Sequence, residues 1–221
     1  MLKIGVDDAG RGPVVGPMIL VGVLVDREQE SKLKKLGVKD SKQLTTRRRE
    51  FLAEKIKEII KYSKIEVIHP EEIDKKQEQG IKLNEVEAIA CAKIINNLNK
   101  DDEKIKIVLD CPSTSLVKWK DFLKTKIKKL SNLEISCEHK ADKNHVIVSA
   151  ASILAKSERE KEMDKIRKKY GDEAGSGYTS DPATQRFLQR YANRYKDKGI
   201  FRKSWITWKN ASKNLGQRKL L

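Results

Sequence analysis

The chain has 221 residues, 38% of them hydrophobic, and Lys and Arg outnumber Asp and Glu by 48 to 32, a formal net charge of +16. The length suits one domain with an extension, and the separated apolar segments exclude a fully disordered chain. The positive surplus favours a polyanionic partner, either nucleic acid or an anionic membrane. We expect no membrane association, because no apolar run approaches the ~18 residues of a spanning helix and the N-terminus carries acids where a signal peptide is apolar.

Apolar periodicity and turn residues predict strands alternating with helices. Strands are expected at residues 2–6, 14–25, 65–68, 105–110 and 133–138. The first two are separated by a Gly-Pro turn and should form an antiparallel pair. Helices are expected at residues 45–62, 84–98, 115–129 and 149–170, with another one beginning at 182.

Capping residues support three of these helix starts. Thr45 or Thr46 should cap the first helix, Asn84 with Glu87 forms a plausible capping box, and Asp181 precedes a Pro at the first helical position. Three early strands followed by alternation indicate an α/β domain with a mixed five-stranded sheet flanked by helices. We place a catalytic domain at 1–174 and a C-terminal helical extension, contributing to substrate binding, at 175–221.

Cysteine and histidine offer no site of their own. Cys91, Cys111 and Cys137 are odd in number and not closely spaced, which argues against a disulfide framework and a zinc site and fits a reducing cytoplasm. Cys111 follows an acid but has no His near it in sequence, so we expect a packed small hydrophobic residue. The three histidines show no metal-ligand spacing.

Acidic residues recur where predicted strands end. Asp7 and Asp8 follow the first strand, Asp110 ends the fourth, and Asp142 precedes a helix. Carboxylates that converge repel one another unless a cation neutralises them, and oxygen-only ligands suit Mg²⁺ or Mn²⁺. Two such ions about 4 Å apart would clamp a scissile phosphate. For any single acid, a cap or a strand end is the commoner explanation. Adjacent acids can serve one site only if their strand ends or bulges there, which Ala9 and Gly10 permit.

Six sequence blocks, in one order and spread over most of the chain, resemble the type 2 ribonuclease H family (ribonuclease HII) in its archaeal form. They are DDAGRGPVVGPM (7–18), KDSKQL (39–44), VLDCPS (108–113), HKAD (139–142), VSAASILAK (148–156) and GSGYTSDP (175–182). The resemblance implies a ribonuclease H-like fold. The chain departs from the family in two places: the second acid, normally Glu, is Asp8, and the Pro or Tyr-Pro common before VSAAS is Asn144-His145.

The resemblance also implies site residues. The four catalytic, metal-binding acids would be Asp7, Asp8, Asp110 and Asp142. The substrate would be contacted by a Gly-Arg-Gly loop, a phosphate-binding Ser and Lys, and a substrate-sensing Tyr, which here are Gly10, Arg11, Gly12, Ser41, Lys42 and Tyr178. Since only RNA carries a 2′-OH, selectivity requires groups that approach the ribose, and glycine lets the backbone do so.

The function implied is metal-dependent cleavage of the RNA strand in RNA–DNA hybrids and at ribonucleotides embedded in duplex DNA. The products would carry 5′-phosphate and 3′-hydroxyl ends. A monomer in the cytoplasm, acting in DNA replication and repair, is the corresponding expectation. Two alternatives stay open. One is a DNA-junction nuclease on the same fold, although such an enzyme would not need the Gly-Arg-Gly loop to sense ribose. The other is a non-catalytic hybrid-binding module, which remains open because Asp8 is shorter than the Glu usual in the family.

Overall fold

The computed structural model describes residues 1–38, 44–100 and 102–217, and for 213–217 the backbone alone. The chain forms two compact units, each made of three segments. The first comprises Met1–Ala9, Ile19–Glu66 and Leu83–Ser157, and the second comprises Gly10–Met18, Val67–Lys82 and Glu158–Leu221. The predicted boundary between residues 174 and 175 stays a prediction.

A five-stranded sheet carries the first unit. Its strands are β1 (Leu2–Ala9), β2 (Met18–Val25), β3 (Tyr62–Ile68), β4 (Ile105–Asp110) and β5 (Leu133–Glu138), in the order β3-β2-β1-β4-β5. β1 pairs antiparallel with β2 and parallel with β4, and β4 pairs parallel with β5. The prediction of a mixed five-stranded sheet, and of an antiparallel first pair, is therefore confirmed.

Helices flank the strands in chain order. They are α1 (Arg27–Lys35), α2 (Thr46–Ile59), α3 (Pro70–Glu78), α4 (Leu83–Leu98), α5 (Leu116–Lys124), α6 (Ala141–Asn144), α7 (Val146–Tyr170), α8 (Pro182–Tyr191) and α9 (Ile206–Gln217). In the part of the chain that the structure describes, none of them combines the length and apolar character needed to cross a membrane.

Glycines let two helices approach the sheet closely. A Cβ on Gly5 would overlap the backbone of Ile147 and Val148 in α7, and one on Gly22 would overlap Ile94 in α4. All eight residues of β2 are buried, as expected for a strand near the middle of a covered sheet. Since side chains alternate along a strand, these two glycines also identify which face of β1 is covered by α7 and which by α4.

Several of the predicted boundaries of strands and helices were wrong. β2 begins at Met18, since Gly16 has φ +87° and the amides of Val14 and Val15 donate instead to the carbonyl of Gly177. α4 begins at Leu83, so Asn84 lies inside its first turn rather than at a capping box. The shared carbonyl at Gly177 ties residues 14–15 to a loop more than 160 residues later.

Two further helices end before their predicted limits, and two predicted N-terminal caps are confirmed. α2 ends at Ile59, where the extended backbone of Ile60 leads into β3, and α5 ends at Lys124 instead of 129. Thr45 accepts the amide of Arg48, and Asp181 accepts the amide of Ala183. The short helices α1 and α3 carry little apolar periodicity, and the sequence did not indicate them.

The second unit has its own aromatic core. Phe187 packs against Phe201 with ring centres 5.8 Å apart, and Phe201 packs against Trp208 at 4.5 Å. Val14 and Val15 are fully buried in the same cluster. The segment that follows the Gly-Arg-Gly loop is thus anchored in the core of the second unit.

Candidate active site

Asp7 and Asp110 lie at the same edge of the sheet. β1 and β4 run parallel with Val6 opposite Leu109, so the next residue of each strand is an acid. Asp7 is 7% exposed. Burial raises the pKa of Asp7 well above its ordinary value, and the charges of Asp8 and Asp110 raise it further. Hydrogen bonds from the Ser152 hydroxyl and the Asp8 amide oppose that rise. Two of the predicted acids are therefore electrostatically coupled.

Asp142 is brought to this edge by a direct bond. The amide of Ala141, the first residue of α6, donates to Oδ1 of Asp110 at 2.8 Å. Asp142 follows it, is 3% exposed, and its carbonyl accepts from the Ser149 hydroxyl. The preceding Lys140 has φ +58°, a left-handed conformation that non-glycine residues seldom adopt outside functional or tightly constrained turns.

Asp8 is placed differently from the expectation. β1 does not end or bulge at the two acids; it continues to Ala9 in regular register with β2, where Asp8 opposes Leu20. Because side chains alternate along a strand, Asp7 lies on the same face of β1 as Gly5, the face covered by α7. Asp8 lies on the opposite face with Val6, whose partner in β2 is Gly22, and that face is covered by α4. Burial raises the pKa of Cys91 in α4, and the charges of Glu87 and then of Asp8 add to that rise. The amide of Asp8 still donates to Oδ1 of Asp7 at 2.8 Å.

A further acid at this edge was missed. Glu138 ends β5 directly opposite Asp110. Its Oε2 lies 2.9 Å from Nε2 of His145, and hydrogen bonds from His145 and Ser136 lower its pKa although burial opposes them. The signal was in the sequence, because the predicted strand 133–138 ends in an acid like the other two.

The donor set fits a hard divalent cation in its chemistry. Asp7, Asp110 and Asp142 offer carboxylate oxygens only. The pKa of Asp7 is raised by its burial and then by the neighbouring negative charges, an effect that a bound cation would offset. As the side chains stand, no group of three or more His, Cys, Asp or Glu in the described residues could hold a metal ion. Binding would therefore require some of these carboxylates to turn toward the ion.

The Gly-Arg-Gly loop belongs to the second unit and is held from within it. Arg202 is fully buried, and its guanidinium donates to the carbonyls of Gly10, Arg11 and Gly16. The indole of Trp205 donates to the carbonyl of Gly12 at 3.1 Å. These bonds engage the carbonyls of the loop, while Gly12 is exposed and has no side chain to keep a ligand from its backbone.

Tyr178 stands on a second braced loop of the same unit. The amide of Ser176 donates to Oδ2 of Asp181 at 2.7 Å, and that of Gly177 donates to the Thr184 hydroxyl at 3.0 Å. Tyr178 itself is 41% exposed, with its ring 5.0 Å from the guanidinium carbon of Arg159. Sequence reasoning missed Arg159, Arg202 and Trp205, since nothing distinguishes two arginines among 48 basic residues.

The remaining predicted residues separate into two groups. Ser41 and Lys42 lie outside the described residues. The three cysteines are buried thiols, and burial raises the pKa of Cys91 well above its ordinary value and that of Cys137 to about 12. The prediction that Cys111 is a packed residue rather than an activated nucleophile is consistent with its burial.

The family model described as Ribonuclease HII matches residues 4–208. A protein named Ribonuclease HII from Methanococcus maripaludis is 44% identical over 98% of this chain and 90% of its own length. The crystal structure of the ribonuclease H2 from Pyrococcus horikoshii has a TM-score of 0.85 at 37% identity, covering 97% of this chain and 98% of that one. A ribonuclease HIII, called Bst-RNase HIII and solved in complex with Mn²⁺, has a TM-score of 0.81 at 22% identity, covering 96% and 69%, a likeness of fold.

These matches span nearly the whole chain and agree with the ribonuclease H-like sheet and with the six motif blocks. The match includes both the strand-end acids and the two braced loops, since all of them lie between residues 4 and 208. The chain therefore belongs to the ribonuclease HII family of nucleases acting on RNA–DNA hybrids.

Proposed function

We propose that this chain cleaves both the RNA strand of RNA–DNA hybrids and single ribonucleotides embedded in duplex DNA, by phosphodiester hydrolysis that leaves 5′-phosphate and 3′-hydroxyl ends. The observation that carries this proposal is the coupled acid pair of Asp7 and Asp110. Holding the buried carboxylate of Asp7 beside the charges of Asp8 and Asp110 is unfavourable for the free protein. The arrangement is explained if the site has to bind a cation.

The acids Asp7, Asp8, Asp110 and Asp142 would hold Mg²⁺ or Mn²⁺. Bound as a pair, such ions supply an activated water and stabilise the leaving oxygen. The chain's own part is to hold the carboxylates in place: the Ala141 amide fixes Asp110, and the Ser152 hydroxyl and Asp8 amide orient Asp7. Asp8, whose side chain leaves β1 toward α4, would have to turn toward the ion in order to contribute.

Recognition of the substrate divides between two kinds of contact. The basic surface, together with Ser41 and Lys42, would bind phosphates without reading sequence. Gly10, Arg11 and Gly12 would bring backbone groups against the ribose, and the exposed ring of Tyr178 would pack beside the junction nucleotide. This division predicts tight binding to many duplexes but cleavage only beside a ribose.

One experiment tests the proposal. The protein is incubated with Mg²⁺, with Mn²⁺ or with EDTA and three labelled duplexes: an RNA–DNA hybrid, DNA with one ribonucleotide, and all-DNA. Cleavage of the first two alone, in either metal and not in EDTA, supports it. Cleavage of all-DNA would favour a junction-type nuclease, and binding without cleavage in both metals would favour a binding module.

A further inference from the structure

Arg159 is a buried charge that the proposed chemistry does not use. It lies in the second half of α7 and is 6% exposed. Its Nη2 donates to the carbonyl of Ser176 at 2.9 Å, and its guanidinium carbon lies 5.0 Å from the centre of the Tyr178 ring. A guanidinium stacked on an aromatic face restricts the orientation of that ring. Arg159 therefore fixes both the backbone and the side chain of the loop that presents Tyr178.

The same side chain also packs against the Gly-Arg-Gly loop. Gly10 has φ +80°, and a Cβ there would overlap both Nε and Cδ of Arg159. Gly177, next to Tyr178, is also close, since a Cβ on it would lie 3.1 Å from Nη2 of Arg159. One side chain thus fills the space between the first glycine of one loop and the loop that carries the tyrosine.

The Nε–H of Arg159 is buried and has no hydrogen-bond partner among the described residues. A buried donor without a partner is costly and uncommon in folded proteins. Because the Nε atom is buried, it cannot reach a substrate directly. The guanidinium lies against Tyr178 and Gly10 and bonds Ser176 through Nη2, while its Nε–H is left without a hydrogen bond among the described residues.

Arg167 provides a contrast on the same helix. Its Nη1 donates to the carbonyl of Gly175 at 2.9 Å, in the same loop, but its Nη2 is paired with Glu160 and Asp164. No aromatic ring contact of Arg167 corresponds to that of Arg159 within the described residues. Two arginines therefore hold one loop, and of the two it is Arg159 whose guanidinium contacts the tyrosine ring.

We propose that Arg159 is a positioning residue for ribose recognition, which sets the place of the Tyr178 ring relative to Gly10. This inference rests on the proposed function, in which Tyr178 and the Gly-Arg-Gly loop sense the ribose. Arg159 touches no substrate; it acts through Tyr178. Removing either residue should therefore produce the same defect, and removing both should add nothing further.

The test is a double-mutant comparison on the full chain. Arg159→Lys keeps the charge and stem but lacks the planar guanidinium, and Arg159→Met removes the charge as well. Each is combined with Tyr178→Ala, and Arg167→Lys, alone and with Tyr178→Ala, is the matched control. For all variants we measure kcat and KM on a duplex with one ribonucleotide, and the melting temperature. In EDTA we also measure the affinity ratio for that duplex over all-DNA.

We expect Arg159→Lys to lower kcat about tenfold, the size of coupling common between contacting residues, with KM little changed. It should also reduce the affinity ratio toward that of Tyr178→Ala, and the double variant should be no worse than Tyr178→Ala. Arg167→Lys should leave the affinity ratio unchanged and combine multiplicatively with Tyr178→Ala.

Multiplicative effects of Arg159 and Tyr178, or an unchanged affinity ratio in Arg159→Lys, would overturn the inference. So would failure of both Arg159 variants to fold, because the residue would then be purely structural. If the unmutated protein cleaves no ribonucleotide-containing duplex, the proposed function itself fails, a result distinct from a cleaving protein in which Arg159 is independent of Tyr178.

Discussion

The amide of Ala141 donates to Oδ1 of Asp110, so the acid that ends β4 is bonded directly to the helix that carries Asp142. Asn at position 110 can keep this bond through its amide oxygen while losing the charge. We expect Asp110→Asn to lower cleavage by more than about a hundredfold, beyond the 10–100-fold typical of residues that only support a ligand. Its melting temperature in EDTA should not fall, because one repelling charge is gone.

The control for that variant is Glu138→Gln. Glu138 lies opposite Asp110 but is engaged by His145 and Ser136, and it should be dispensable for cleavage. Asp110→Asn with near-normal activity, or Glu138→Gln as inactive as Asp110→Asn, would remove Asp110 from the centre of the site.

Asp7 should make the metal-free protein sensitive to pH. Its folded pKa is raised, so the folded state holds the proton more tightly than the unfolded state. Stability is then greatest below the unfolded pKa of about 3.9 and is lost as pH rises toward the folded value. Asp7→Asn removes this loss. In EDTA, the melting temperature of Asp7→Asn minus that of the unmutated protein should increase as the pH rises from acid to neutral.

A melting-temperature difference that stays constant over that pH range would contradict the account of Asp7. For Asp181→Asn the melting-temperature difference should change with pH in the opposite direction. The reason is that hydrogen bonds from the backbone and side chain of Ser176 lower the pKa of Asp181. The contribution of that carboxylate is present above its unfolded pKa and is lost as the pH falls.

Asp8 should be a working but compromised ligand, because its side chain is one methylene shorter than Glu and leaves β1 toward α4. We expect weak cleavage in Mg²⁺, which demands near-ideal geometry, partial rescue by Mn²⁺, and a gain with Asp8→Glu. Asp8→Ala should be worse than the present chain. If Asp8→Ala cleaves as fast as the unmutated protein, the site consists of Asp7, Asp110 and Asp142 alone.

Tyr178→Ala should reduce cleavage beside a ribonucleotide while total duplex binding changes little. The exposed ring is one contact among many, whereas the basic surface supplies most of the affinity. Tyr62→Ala is a suitable control, because Tyr62 is also exposed, at the start of β3. Equal losses in binding and cleavage would assign Tyr178 to general duplex affinity.

Binding should be electrostatic and blind to sequence. With a net charge of +16, affinity for a duplex should fall linearly on a log–log plot against salt, with a slope set by several phosphate contacts. Titrations with two unrelated duplexes should give the same slope. A flat dependence between dilute and moderate salt would contradict this.

The sequence predicted the sheet well because its strands are marked locally. Two strands, at 105–110 and 133–138, have the predicted limits, since each is an apolar segment bounded by polar residues. β2 was predicted to begin four residues early, because Val14 and Val15 look like strand residues. Their amides bond to Gly177, a partner that no local pattern reveals.

The candidate acids could be identified from strand ends and from motif blocks, but their orientation could not. Whether β1 stops at Asp8 or continues to Ala9 depends on pairing with Ile19, which lies in another strand. The arginines behind the loops could not be found either. Arg159 and Arg202 owe their environments to contacts with residues far away in the chain, and charge alone predicts an exposed surface residue.

The bonds of Arg202 have a consequence for the order of assembly. They join residue 202 to the carbonyls of Gly10 and Gly16, across separations of 192 and 186 residues. During synthesis from the N-terminus, β1 and its acids are made well before the donor that fixes the adjoining loop. A nascent chain can thus acquire the sheet before the Gly-Arg-Gly loop is fixed, and the ribose recognition proposed for that loop would mature only after residue 202 has been made.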